Sequence, residues 1–172
     1  MQTRSATEAD AEVLREIYAP SVLHTHTSFE VEVPSASEMA RRIRTTTETH
    51  PWLVAEDGGV VVGYAYATRH MERAAYAWSV NVSVYVAASH HGRGVGKRLY
   101  RALFDELRAR GFVNAFAGVA LPNEASVALH TSVGFTPVGT YRHVGFKHGR
   151  WHDTAWFQLT LQEPPAAPAP PR

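Results

Sequence analysis

Residues 76–110 read YAWSVNVSVYVAASHHGRGVGKRLYRALFDELRAR and predict a strand, a glycine-rich turn and a helix in that order. From Tyr76 to Val86 apolar and polar side chains alternate, which is the period-two pattern of a half-buried strand. From Lys97 to Arg110 large apolar residues recur at helical spacing, and Gly111 follows as a helix end. This strand–turn–helix unit is the part of the chain from which the fold and the function are inferred.

Strands and helices on both sides of this unit predict a mixed fold of the α+β (α/β mixed) class. The predicted order is β-α-α-β-β-β-α-β-α-β-β, with helices from about Glu8, after a capping box at Ser35 and Glu38, and over residues 97–110 and 123–133. The strands are predicted over residues 2–6, 52–55, 60–68, 76–86, 112–121, 135–141 and 151–161. We expect one domain over residues 1–162 and a disordered tail over residues 163–172, which contain five of the ten prolines.

Composition excludes several classes of protein. The 172 residues carry 17 Lys and Arg against 16 Asp and Glu, a formal charge of +1, which does not supply the phosphate attraction that nucleic-acid binding needs. The absence of cysteine excludes disulfide scaffolds, cysteine nucleophiles and thiolate metal sites. No signal peptide or membrane span is recognisable, so we expect a cytoplasmic protein that binds neither nucleic acid nor membrane.

The glycine-rich turn, His91–Gly96, is the main functional signal. Its glycines allow backbone N–H groups to turn toward one point, and the positive end of the following helix lies beside them, so a phosphate or pyrophosphate fits there. The turn does not match a P-loop, because Arg98 stands where the magnesium-binding hydroxyl belongs. It does not match a dinucleotide fingerprint either, because Lys97 replaces the third glycine. The alternative is a glycine-rich connection that binds no ligand.

Three short motifs together resemble the GCN5-related N-acetyltransferase (GNAT) superfamily. They are residues 83–86 (SVYV), then His91, Gly94 and Gly96, and then residues 123–135, which read NEASVALHTSVGF. Residues 50–56 and 147–153 resemble the phosphinothricin and methionine sulfoximine acetyltransferases within that superfamily. The resemblance implies a twisted mixed sheet of about seven strands with flanking helices. It also implies a V-shaped split between the fourth and fifth strands, where acetyl-CoA binds without a metal.

The resemblance also assigns the cofactor-binding residues. They are Val84, Tyr85, Val86, His91, Gly92, Arg93, Gly94, Val95, Gly96, Lys97, Asn123 and Ser126. The backbone of residues 84–86 would pair with the pantetheine amides, and the N–H groups of residues 92–97 would bind the pyrophosphate. Arg93 and Lys97 have the alternative of solvated loop cations. Asn123 has the alternative of a helix cap.

The catalytic assignments centre on Asn81, His130 and Tyr85. Asn81 stands where phosphinothricin relatives carry a glutamate proposed as the general base, and an amide cannot take a proton from an amine. His130 stands where the family places a Tyr or His near the CoA sulfur, and its alternative is a hydrogen-bonded core histidine. Tyr85 is the second candidate for the acid. Either another group removes the proton of the amine, or activity on the usual amino-acid substrates is reduced.

The resemblance implies a small amine or amino acid as acceptor, bound by Phe29, Arg73, Tyr76, Asn81 and Trp151 in a homodimer. A guanidinium suits a carboxylate because it donates two parallel hydrogen bonds. Two other functions stay open at this point: a non-catalytic acyl-CoA sensor, suggested by Asn81, and acetylation of a protein N-terminus or an aminoglycoside. A metal site at His24 and His26 is the weaker alternative, because no third ligand follows at a suitable spacing.

Overall fold

The computed structural model describes all 172 residues as one seven-stranded sheet with four α-helices. The strands are β1 (Gln2–Ser5), β2 (Trp52–Asp57), β3 (Val60–Arg69), β4 (Ser79–Val86), β5 (Asn114–Ala120), β6 (Thr136–Lys147) and β7 (Arg150–Thr160). The helices are α1 (Ala11–Leu23), α2 (Ala36–Thr47), α3 (Val95–Ala109) and α4 (Glu124–Ser132). The predicted fold class and element order are confirmed.

The sheet splits between its fourth and fifth strands. Its strand order is β1-β2-β3-β4-β5-β7-β6, and β4 and β5 are its one parallel pair. These two strands pair only where Ser79, Val80 and Asn81 face Asn114, Ala115 and Phe116. Beyond Asn81 the two strands separate, so the predicted V-shaped split is confirmed.

The helices cover both faces of the sheet, and each face has its own core. On one face α3 packs its apolar side, including Leu99, Leu103 and Leu107, against Val80 and Val82. On the other face α1 and α2 pack around a second cluster: Leu14, Val22, Met39, Ile43, Trp52, Val54 and Tyr64. Side chains alternate along a strand. Asn81, Ser83 and Tyr85 therefore belong to the face covered by α1 and α2, where Tyr85 contacts Tyr18 edge to face with 4.8 Å between the ring centroids.

Two segments differ from the sequence expectation. The strand predicted from Tyr76 begins at Ser79, because residues Ala74–Tyr76 form a 3₁₀ turn. The strand predicted to end at Tyr141 continues to Lys147. Its register with β7 shifts between Tyr141 and Gly145, and His143 has a φ of 49°, so the regular alternation that reveals a strand is broken there.

The C-terminal tail, residues 163–172, forms no helix or strand. Two hydrogen bonds connect it to the domain. The Trp78 indole N–H donates to the carbonyl of Ala169 at 2.9 Å, and the N–H of Arg172 donates to the carbonyl of Arg110 at 3.0 Å. The boundary at residue 162 and the disorder of the tail stay predictions. Separately, no helix has both the length and the apolar character needed to cross a membrane.

Candidate active site

A cleft of about 560 Å³ lies in the split between β4 and β5. It passes through the sheet, because Ser21 and Thr27 line it on the α1 side and Leu129 and His130 line it on the α4 side. Within it, Val82–Val86 of β4 has no partner strand on the β5 side, so backbone groups there, apart from the Val86 carbonyl bonded to His91, are free to pair with a ligand. All predicted cofactor-binding residues except Arg93 line the cleft: Val84, Tyr85, Val86, His91, Gly92, Gly94, Val95, Gly96, Lys97, Asn123 and Ser126.

The glycine turn at the mouth of the cleft uses its glycines in two different ways. Gly92 and Gly94 have φ values of 74° and 77°, a conformation in which a side chain is strained, and Gly94 caps the N-terminus of α3. Gly96 lies within the helix, where a Cβ atom would stand 3.0 Å from Leu129 Cδ2. Gly92 and Gly94 therefore set the shape of the turn at the N-terminus of α3, and their role in binding a pyrophosphate stays a prediction. Gly96 instead allows α3 to approach α4.

His91 and Asn123 each make a hydrogen bond that organises the cleft. His91 Nε2 lies 2.9 Å from the carbonyl oxygen of Val86 and must donate to it, because a carbonyl only accepts. The Asn123 side-chain oxygen accepts the N–H of Ser126 at 3.1 Å, which is the capping role left open by the sequence. Its side-chain NH₂ stays available for a ligand, so capping and binding are compatible.

His130 is buried, with 4% of its surface exposed, and both its ring nitrogens have partners. Nδ1 lies 2.7 Å from the Ser126 carbonyl oxygen and donates to it, and Nε2 accepts from the Tyr100 hydroxyl at 2.9 Å. Burial lowers the pKa of His130, which keeps the ring neutral. This arrangement favours the hydrogen-bonded core histidine, and a catalytic role for His130 stays a prediction.

Tyr85 also lines the cleft, on the α1 side of β4. Burial raises the pKa of Tyr85 well above its ordinary value, so the phenol keeps its proton. Tyr85 can therefore act as a hydrogen-bond donor, and its role as an acid stays a prediction.

Asn81 contacts a histidine that sequence reasoning missed. His70 follows the end of β3, and its Nδ1 lies 2.8 Å from Asn81 Oδ1. The His70 ring stacks on Phe116 with 4.1 Å between centroids and an interplanar angle of 16°. The signal that could have found it is strand pairing: Thr68 of β3 lies opposite Asn81, so His70 comes just beyond that pair.

The five predicted acceptor-binding residues do not form one cluster. Tyr76 approaches the group around Asn81, with its ring 6.1 Å from the His70 ring, and Arg73 lies exposed just before it. Phe29 packs on Gly145 of β6 instead. Trp151 is 60% exposed near the tip of the β6–β7 hairpin, where it contacts Phe146.

A smaller cavity of about 190 Å³ opens on the sheet face that carries Asn81. Its lining consists of Tyr18, Met39, Arg42, Thr46, Trp52, Tyr64, Tyr66 and Thr68. The buried Trp52 indole N–H has no hydrogen-bond partner, whereas Arg42 is held by Glu30 at 2.7 Å and Glu38 at 2.8 Å. The cavity therefore has the size for a small side chain and one unused donor. The structure contains no group of three or more His, Asp or Glu residues that could hold a metal ion.

Comparison with known proteins gives the same result from sequence and from structure. The family described as acetyltransferase (GNAT) domain matches residues 3–156. The chain is 38% identical to the phosphinothricin N-acetyltransferase of Streptomyces viridochromogenes, over all of this chain and 92% of that protein. It is 37% identical to the L-methionine sulfoximine/L-methionine sulfone acetyltransferase of Salmonella typhimurium, over 95% of this chain and 96% of that protein.

Two solved structures are similar over almost their whole length. A Salmonella typhimurium acetyltransferase with its cofactor acetyl-CoA has a TM-score of 0.93 and 36% identity, covering 97% of both chains. A phosphinothricin acetyltransferase of Sinorhizobium meliloti in complex with acetyl-CoA has a TM-score of 0.91 and 38% identity, covering 98% of this chain and 95% of that one. The chain therefore belongs to the GNAT family and is an N-acetyltransferase.

Proposed function

We propose that the protein transfers an acetyl group from acetyl-CoA to the amino group of a small amino acid or analogue of the phosphinothricin or methionine sulfoximine type. The observation that carries the proposal is the cleft through the sheet, lined by α4 on one side and by α1 on the other. Two substrates can reach the split from opposite faces, so direct transfer in a ternary complex needs no acyl-enzyme. Holding the two substrates in the reactive orientation lowers the activation free energy by up to about 7–11 kcal/mol.

The residues present fit acetyl-CoA. The unpaired edge of β4 at residues 82–86 offers backbone partners to an extended amide-containing arm, much as a sheet edge accepts another strand. The cradle at Gly92 and Gly94 offers N–H groups to a pyrophosphate. When bound, acetyl-CoA supplies an acetyl group activated as a thioester, and the chain orients it.

The acceptor side fits a small amino acid. Arg73 has no ion-pair partner in the structure and can take the carboxylate through its planar guanidinium. The 190 Å³ cavity lies on the face of Asn81 and leaves room for a short polar side chain, not for an aminoglycoside. The non-catalytic sensor is not supported, because relatives of equal length are named as enzymes.

The experiment is release of free CoA thiol from acetyl-CoA in the presence of a panel of amino acids and analogues. We expect turnover with phosphinothricin, methionine sulfoximine or methionine sulfone, and none with aminoglycosides or peptide N-termini. Turnover with aminoglycosides or peptide N-termini, and none with the amino acids and their analogues, would overturn the assigned acceptor class. No turnover with any amine would overturn the proposed function.

We also propose a cytoplasmic homodimer formed through the β6–β7 hairpin. Five large apolar side chains are exposed there, and exposed apolar patches mark interaction surfaces: Val138, Tyr141, Val144, Phe146 and Trp151. Light scattering should give twice 19.0 kDa, and Phe146→Asp should give 19.0 kDa. Val31→Asp, at an exposed valine outside the hairpin, is the control and should leave the mass unchanged.

A further inference from the structure

We propose that His70 is the base that takes the proton from the acceptor amine, and that Asn81 positions it. The inference rests on the proposed function and names a residue for the step that Asn81 cannot perform. An amide oxygen has no useful basicity, whereas an imidazole nitrogen accepts a proton readily near neutral pH. Of the two residues in contact, only His70 is a base.

The hydrogen bond to Asn81 selects one tautomer of His70. Asn81 Oδ1 lies 2.8 Å from Nδ1, and a carbonyl oxygen only accepts, so Nδ1 carries the hydrogen. The lone pair of a neutral imidazole is then on Nε2. The Asn81 bond is the one side-chain hydrogen bond of the His70 ring, so Nε2 is free to take a proton.

Aromatic packing holds the ring in place at the closed end of the cleft. Phe116 stacks on the ring, and the Tyr76 and Trp156 rings meet it edge to face at 6.1 and 6.4 Å. Asn81 and Phe116 form the last pair of β4 and β5 before the strands separate. Cleft-lining residues follow at once on both strands, from Val82 and from Gly118. His70 therefore lies beside the point where the two strands separate and the cleft begins.

Few charged groups surround this base. Asn81 of β4, Phe116 of β5 and Trp156 of β7 do not titrate, and Tyr76 is the titratable residue that packs on the ring. On the segment of His70 itself, Arg69 and Glu72 pair with each other at 3.4 Å, and Arg73 precedes the 3₁₀ turn. The partner that orients the imidazole is itself a neutral amide. Asn81 therefore fixes the orientation of the ring through a hydrogen bond and adds no charge to the site.

The reaction balances with His70 as the acceptor of one proton. The ammonium form of the amino acid gives a proton to His70 Nε2, and the freed nitrogen lone pair forms the N–C bond to the acetyl carbonyl carbon. The C–S bond breaks, and its electron pair leaves with sulfur. The second N–H proton goes to the sulfur, and His70 returns its proton to water. One acetyl group is transferred and one proton is released to solvent.

The kinetic test compares His70→Gln with His24→Gln, a matched change at an exposed histidine. We expect His70→Gln to lower kcat/KM by about 10²- to 10⁴-fold, the usual contribution of a general base. Its residual rate should rise about tenfold per pH unit, because it depends on amine that is already neutral. Acetyl-CoA affinity by calorimetry should not change. Activity above half of the parent value, with the parent pH profile, would overturn the proposal.

Changes at Asn81 separate positioning from a merely structural role. Asn81→Asp keeps an acceptor for Nδ1–H and should retain more activity than Asn81→Ala. In the Asn81→Glu background a carboxylate can take the proton, so His70→Gln should cost much less there than in the parent. An equal loss in both backgrounds would show that His70 does not act as the base.

A spectroscopic test does not depend on any acceptor. Nitrogen-15 NMR of the imidazole should show His70 protonated on Nδ1 at neutral pH, and a mixture of tautomers in Asn81→Ala. A neutral His70 protonated on Nε2 would overturn the proposal even if the enzyme is active. Absence of turnover in the parent would instead overturn the proposed function, since the tautomer is measured without an acceptor.

Discussion

The two halves of the proposed active site, for the cofactor and for the acceptor, are built in different ways. The cofactor half is nearly continuous in sequence, over residues 84–97, and it offers mainly backbone groups shaped by Gly92 and Gly94. The acceptor half is assembled from side chains on separate elements, with His70 after β3, Asn81 on β4 and Phe116 on β5. Backbone sites depend on conformation and tolerate changes of side chain, whereas side-chain sites change chemistry with one substitution. The comparison predicts that the cofactor half resembles its relatives and that the acceptor half carries what is particular to this chain.

The largest effect on substrate binding should come from the backbone of the cofactor half. Gly94→Val places a β-branched residue at a φ of 77°, so the turn must change shape to relieve the strain. We expect acetyl-CoA to bind at least about 100-fold more weakly, equivalent to about 2.7 kcal/mol. Titration calorimetry measures this directly.

The matched control is Gly58→Val in the turn between β2 and β3. Gly58 also has a positive φ, 59°, and a Cβ atom there also meets open space. The Gly58→Val substitution strains a turn outside the cleft, so it should lower the stability of the protein without changing its affinity for acetyl-CoA. Equal weakening by both variants would show that the effect is global, and parent-like binding by Gly94→Val would contradict the cradle.

The same difference explains what the sequence could and could not predict. The glycine turn and its helix were predictable because each signal lies within a few residues of the next. The sequence did not reveal the role proposed for His70, because that role depends on two contacts between distant residues. One is with Asn81, eleven positions away, and the other is with Phe116, which the pairing of β4 with β5 brings close. The Tyr100 hydroxyl on His130 was missed for the same reason, since α3 and α4 meet only in the folded chain. Local patterns thus predicted the elements, and the contacts between distant elements required the structure.

The second largest effect on substrate binding should fall on the acceptor half alone. Arg73→Ala removes the guanidinium proposed to bind the carboxylate, and we expect the KM for the acceptor to rise about tenfold, about 1.4 kcal/mol, because the residue is exposed. The KM for acetyl-CoA should not change. Arg69→Ala is the control, since Arg69 already pairs with Glu72. Equal effects of Arg73→Ala on both substrates would place Arg73 outside the acceptor site.

A third prediction tests His130, which lines the cleft on the α4 side. Tyr100→Phe removes the hydroxyl that donates to His130 Nε2 and leaves a buried nitrogen unpaired. We expect the free energy of unfolding in urea to fall by about 1 kcal/mol. The value of kcat should change little if His130 is a core residue. Thr45→Val, which removes an exposed hydroxyl on α2 that bonds only to backbone carbonyls of its own helix, is the control. A large loss of kcat at unchanged stability would favour the catalytic role of His130.

The smallest effect should be a dependence of stability on pH that His130 and His50 contribute. Burial lowers the pKa of both histidines in the folded protein, so near pH 6 the unfolded chain binds more protons than the folded one. The contribution of these two histidines to the free energy of unfolding is complete above the pKa of an unfolded histidine, about 6.5. It is lost as the pH falls through their lower pKa values in the folded protein.

Asp10 has the same sign in a lower window, because its hydrogen bonds to Arg4 lower its pKa, and its contribution is lost only below about pH 4. Urea unfolding at pH 7.5, 6.0 and 5.0 therefore isolates the histidines. His130→Gln should flatten this dependence, and His24→Gln, at an exposed site, should leave it unchanged. Stability that rises on acidification through this range would contradict a neutral buried His130.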